Sequence, residues 1–82
     1  MLIYAGNLPY RMTEDQLRET FEEFGQIQSC TLMKDKMTGR SKGFGFIEIP
    51  DDNQARAAIA GLNGKDFDGR KMDVHDARDK RP

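Results

Sequence analysis

Apolar positions along the chain switch between two periods, and the switches mark the elements. Residues 2–6, LIYAG, alternate, with Ile3 and Ala5 on one side and Leu2 and Tyr4 on the other, which predicts a short strand. After the turn NLPYR the period lengthens: Leu17, Phe21 and Phe24 stand at i, i+4 and i+7, one stripe of a helix. Thr13 is placed as its N-cap, Gln16 completes a capping box, Met12 can staple onto Leu17, and Gly25 stops the helix after about Phe24. Alternation returns at residues 27–33, IQSCTLM, with Cys30 and Leu32 inward and Ser29, Thr31 and Met33 outward. Ile27 is out of phase, so an irregular entry is expected there. The basic connection KDKMTGRS carries Gly39 where a turn wants positive φ, and leads to a third strand over 41–49. Asp51 and Gln54 then repeat the capping-box spacing, and Ala55, Ala58, Ile59 and Leu62 form a second helical stripe ending at Asn63-Gly64. Phe67 is expected under a turn at Asp68-Gly69, followed by a last strand at about 71–75 with Met72 and Val74 inward and Lys71, Asp73 and His75 outward.

Strand, helix, strand, strand, helix, strand is the split βαβ order, so the expected fold class is α+β, a ferredoxin-like βαββαβ sandwich with a four-stranded antiparallel sheet. Right-handed crossovers place both helices on one face of that sheet and leave the other face uncovered. In this topology the first and third strands are the central neighbours. One domain over 1–77 and a short basic tail over 78–82 account for the chain.

The third strand sharpens the picture. In SKGFGFIEI, residues 41–49, Gly43, Gly45, Ile47 and Ile49 share one face, and Lys42, Phe44, Phe46 and Glu48 share the other. The isoleucine face is core. The other face, the uncovered one, holds two phenylalanines beside two charges, and Tyr4 of the first strand joins them.

Composition removes several alternatives. The chain has 82 residues, 37% hydrophobic and 33% charged, which fits one compact domain. One cysteine, Cys30, forms no internal disulfide and reads as a small core residue. With one histidine besides, no metal site of recognisable spacing is expected, nor any cofactor. No apolar run has the length of a membrane span and no secretory signal is visible, so no membrane partner is expected. The net charge of −1 is unevenly spread: residues 1–33 carry two basic against five acidic groups, whereas Lys34, Lys36, Arg40 and Lys42 stand against Asp35 and Glu48 in residues 34–50. Positive charge gathers beside the aromatic strand and again at Arg78, Lys80 and Arg81.

Rings on an open sheet face beside cations form a platform on which unpaired bases can stack, at roughly 1–3 kcal/mol per base. Bases in a duplex are already stacked, so the expected partner is a single strand. Lys42-Gly43-Phe44-Gly45-Phe46-Ile47-Glu48-Ile49 resembles the first ribonucleoprotein motif of the RNA recognition motif family, and Ile3-Tyr4-Ala5-Gly6-Asn7-Leu8 resembles the second. Ile49 replaces an aromatic and Ala5 is smaller than the usual aliphatic, both at core-facing positions. The resemblance spans the whole chain. It implies that Tyr4, Phe44 and Phe46 are the stacking rings, that Lys42 is their basic partner, and that the chain binds single-stranded RNA in preference to single-stranded DNA. It further implies a monomer acting in post-transcriptional regulation or RNA chaperoning. Asn7, Met33, Arg40, Lys71, His75 and Arg78 are the remaining candidate contacts; Asn7 is expected first to fix its turn, and Tyr10 to serve in loop packing.

Two other classes share this layout. An acylphosphatase-like enzyme would use the Asn7–Arg11 turn, but the glycine-rich phosphate cradle is missing and no base–nucleophile pair stands out, so no catalysis is expected. A protein-binding variant of the RNA-binding family would use the same face or the acidic first helix; against it, the motif rings are intact and Arg70-Lys71-Met72 lacks the Arg-x-Phe such variants tend to carry. The expected compartment is the cytoplasm for a stand-alone bacterial protein, and nucleus or cytoplasm for a eukaryotic domain.

Overall fold

The computed structural model describes residues 1–78; Lys80 and Arg81 of the expected basic tail lie outside them. The elements are β1 (Leu2–Gly6), α1 (Glu14–Glu22), β2 (Ser29–Lys34), β3 (Ser41–Glu48), α2 (Asp52–Leu62), β4 (Asp66–Phe67), β5 (Arg70–Lys71) and β6 (Asp73–Asp76). Four strands form an antiparallel sheet in the order β2-β3-β1-β6, so β1 and β3 are central as the topology requires. This is the ferredoxin-like α+β fold.

The core lies between sheet and helices. Ile3, Ala5, Ile47 and Val74 from the sheet meet Leu17 and Phe21 of α1 and Ala55, Ala58 and Leu62 of α2, all fully buried. Cys30 is buried with them, and burial pushes its thiol above the ordinary cysteine range. Strand parity is as the alternation predicts. Gly43, Gly45, Ile47 and Ile49 are buried; Phe44, Phe46 and Glu48 are half-buried and Lys42 is exposed.

Several boundaries differ from expectation for local reasons. The Thr13–Gln16 capping box forms in both directions, at 3.1 and 3.0 Å, but α1 ends at Glu22. Phe24 N–H turns back to the Phe21 carbonyl, and the Phe24 ring packs on Gly61, where an added Cβ would stand 2.7 Å from it. Ile27 packs against the core ahead of β2, which begins only at Ser29. At α2 only half of the predicted box exists. Asp51 accepts from the backbones of Asn53 and Gln54, but the Gln54 side chain accepts from Gln26 N–H across the loop instead of from Asp51.

The last predicted strand divides in two. Lys71 pairs with Asp66 in a separate hairpin, turned by Asp68 and Gly69, both at positive φ. Met72 N–H bonds to the Lys65 carbonyl, so the sheet strand starts only at Asp73. Phe67, itself in β4, is partly buried against the core.

Candidate nucleic-acid interface

Register fixes how the rings meet. Across the sheet Thr31 faces Phe46, Phe46 faces Tyr4 and Tyr4 faces His75, one row running from β2 to β6. The Tyr4 and His75 rings stack with centroids 4.8 Å apart and planes 27° from parallel. Phe44, two residues along β3, lies 5.9 Å from Tyr4 at 28°, while Phe46 meets Tyr4 edge-on at 5.8 Å and Phe44 edge-on at 6.1 Å. These separations fall in the range of favourable aromatic contacts. All four rings are half-buried, each open to solvent on the face that carries no helix.

Gly6 shapes this surface. A Cβ there would collide with the Tyr4 ring, 2.7 Å from Cζ, so the ring lies flat along its own strand. In the sequence this shows only as a glycine two residues beyond an aromatic on a single strand face.

The edge beside Phe44 is irregular. Leu32 faces Gly45 and Lys34 faces Ser41, so Met33 alone stands opposite Lys42, Gly43 and Phe44. Gly43 takes φ +84° inside this bulge, a conformation that side chains rarely adopt, and its carbonyl accepts from Leu8 N–H at 2.9 Å. Met33 is half-buried at this bulge. Lys42 and Arg40 are exposed, and among the described residues neither is in an ion pair. The loop holding Arg40 is folded on Asp35, whose carboxylate accepts from the backbones of Met37 at 2.7 Å and Thr38 at 3.2 Å. Those two bonds hold its carboxyl below the usual range, with Lys42 adding a smaller pull in the same direction.

The other candidates divide. Asn7, at φ +55°, bridges the turn after β1 to the β4–β5 hairpin: its amide donates to the Lys71 carbonyl at 2.8 Å and its Oδ1 accepts from Arg70 at 3.0 Å. Lys71 therefore sits on that hairpin and not, as expected, on the last strand of the sheet, with its side chain exposed. Arg78 follows β6 and its guanidinium pairs with Asp76 at 3.5 Å. Tyr4, Phe44, Phe46 and His75 thus touch one another. Lys42, Met33 and Arg40 follow along one side, and Asn7 and Lys71 close the end of β1. Among the described residues no group of three or more His, Cys, Asp or Glu is arranged to hold a metal ion, and no helix is long and apolar enough to cross a membrane.

A four-stranded open sheet with these rings at its centre defines a class, and comparison with known proteins bears on it directly. Residues 3–73 match the RNA recognition motif family. The chain is 51% identical over 74 residues to human "Probable RNA-binding protein 23", covering 90% of this chain and 17% of that protein. Among solved structures it is similar to "RNA Binding Protein PG1", with TM-score 0.91, 43% identity and coverage of 100% of this chain and 99% of that one. It also resembles an Rna15 domain solved with bound RNA (GU), with TM-score 0.87, 31% identity and coverage of 99% and 86%. The chain belongs to the RNA recognition motif family, a family of RNA-binding domains and not of enzymes. It spans less than half the length of the curated relatives it matches.

Proposed function

We propose that this domain binds single-stranded RNA as a monomer, by stacking bases on Tyr4, Phe44 and Phe46. One observation carries the reading: these rings contact one another at the centre of a sheet face that no other element of the described chain covers. Each ring presents a π-face, and a stacked base adds roughly 1–3 kcal/mol. His75 extends the row beside Tyr4 and takes a base or a sugar edge. Lys42 and Arg40, in no ion pair among the described residues, meet phosphates on the β2–β3 side. Lys71 and Arg78 do so at the other margin, Arg78 after exchanging Asp76 for a phosphate. Met33 supplies adaptable apolar contact at the bulge. Asn7 acts mainly by positioning, since both ends of its side chain are engaged.

Similarity to a domain solved with bound RNA supports this partner. Stacking alone accepts either nucleic acid, so weaker binding of single-stranded DNA follows only where contacts reach the ribose 2′-hydroxyl. A role in post-transcriptional regulation or RNA chaperoning fits a domain of this kind. Titrating the 15N-labelled protein with a short single-stranded RNA of randomised sequence tests the assignment. Amide shifts are expected at Tyr4, Lys42–Phe46 and His75. Shifts confined to α1 would place the RNA on the opposite side and overturn the platform; no shifts at all would favour a protein partner.

A further inference from the structure

Stacking accepts ribose and deoxyribose nucleotides alike, so the rings of the platform do not by themselves tell RNA from DNA. That takes a polar atom within reach of the sugar. Of the four touching rings only Tyr4 and His75 carry one, since Phe44 and Phe46 are hydrocarbon. The Tyr4 hydroxyl lies over Gly6 at the loop end of β1 and, free to rotate, both donates and accepts. The His75 ring has a fixed polarity instead.

His75 Nδ1 lies 3.2 Å from the Asp76 carbonyl oxygen, which only accepts, so Nδ1 carries the ring proton. In the neutral ring Nε2 is then an acceptor only. That atom, at the tip of the ring, has no hydrogen-bond partner among the described residues. No buried side-chain nitrogen or oxygen among them lacks a partner, so Nε2 is open to solvent. Strand pairing sets His75 directly opposite Tyr4, and the two rings stack at 4.8 Å with planes 27° from parallel. A fixed acceptor thus stands beside the central ring on the uncovered face of the sheet.

A phosphate oxygen only accepts and is no partner for this atom. The donors that a single strand offers are base N–H groups and the ribose 2′-hydroxyl. Base N–H groups change with the base, whereas the hydroxyl stands at the sugar edge of whichever base lies on Tyr4. We propose that His75 is a specificity residue: its Nε2 accepts a hydrogen bond from the 2′-hydroxyl of the nucleotide stacked on Tyr4 and so favours RNA over single-stranded DNA. The Asp76 carbonyl is the positioning group that selects the tautomer. The assignment rests on the RNA-binding reading of the platform, and the two fail differently.

Fluorescence anisotropy of the full chain at about pH 8, with the imidazole neutral, separates them. Short strands of one randomised sequence are made as RNA, as DNA, and as 2′-fluoro RNA, which keeps the ribose pucker and lacks the donor. The wild type is expected to bind RNA roughly 2- to 10-fold more tightly than 2′-fluoro RNA. His75→Phe, which keeps a ring beside Tyr4 and loses the acceptor, should bind the two about equally. A preference undiminished in His75→Phe means that His75 meets a base or only stacks, and overturns the assignment. No preference in the wild type, or DNA bound as tightly as RNA, overturns it as well, and the platform stands provided Phe44→Ala weakens binding. No effect of Phe44→Ala removes the platform and the assignment with it. A measurement on the wild type guards against a misfolded variant. Imidazole 15N shifts should report the Nδ1–H tautomer in the free protein, with Nε2 shifting on addition of RNA and not of 2′-fluoro RNA. An Nε2–H tautomer, or an Nε2 response that does not differ between the two strands, overturns the proposal.

Discussion

Gly45 separates the two phenylalanines of β3 and works on the side away from them. A Cβ there would stand 2.5 Å from the Thr31 carbonyl oxygen, 3.1 Å from Leu17 Cδ2 and 3.2 Å from the Leu32 Cα. Two of those neighbours are backbone of β2, which cannot swing aside. Gly6 is the counterpart on the open face, where the neighbour is the Tyr4 ring itself. One glycine lets α1 seat against the sheet and the other lets a ring lie flat on it. Gly45→Ala is therefore expected to lower stability by about 1–3 kcal/mol, read as a lower urea midpoint. An unchanged midpoint would mean that β2 yields more easily than its hydrogen-bonded pairing with β3 implies.

At the scale of elements, the caps show what a sequence discloses. The Thr13–Gln16 box satisfies backbone groups at the start of α1 within four consecutive residues, so it was legible from spacing alone. Thr13→Ala should cost about 1 kcal/mol, measured by chemical denaturation with RNA affinity unchanged. The same spacing at Asp51 and Gln54 misled, because Gln54 has a competing partner, Gln26 N–H, brought near only by the folded chain. Strand parity was equally legible, since alternation is local, and it gave the open face and its three rings. What the sequence left hidden depends on contacts distant along the chain. Met72 answers to Lys65 across the hairpin, which moved Lys71 off the sheet. Arg70 reaches Asn7 and Tyr10 from some sixty residues away. The bulge at Gly43 hides inside a perfect alternation, because two extra residues leave parity unchanged.

For the whole molecule, a net charge of −1 limits what electrostatics can contribute. Few phosphate contacts give few released counterions, and so a shallow dependence of affinity on salt. Stacking must then carry most of the binding. Two or three bases at roughly 1–3 kcal/mol each, against the roughly 8 kcal/mol of a micromolar complex, place unselected sequences at micromolar affinity or weaker. Tighter binding to chosen sequences would come from hydrogen bonds at the sheet margins and loops.

The most direct test is fluorescence anisotropy with a randomised short single-stranded RNA, beside duplex RNA, for the wild type and a Phe44→Ala/Phe46→Ala variant whose fold is verified by circular dichroism. The account predicts binding of the single strand over the duplex, weakened at least about 30-fold in the variant. Undiminished binding by a folded variant would contradict it, as would no binding of the single strand by the wild type at about 100 µM protein, where even non-specific contact registers.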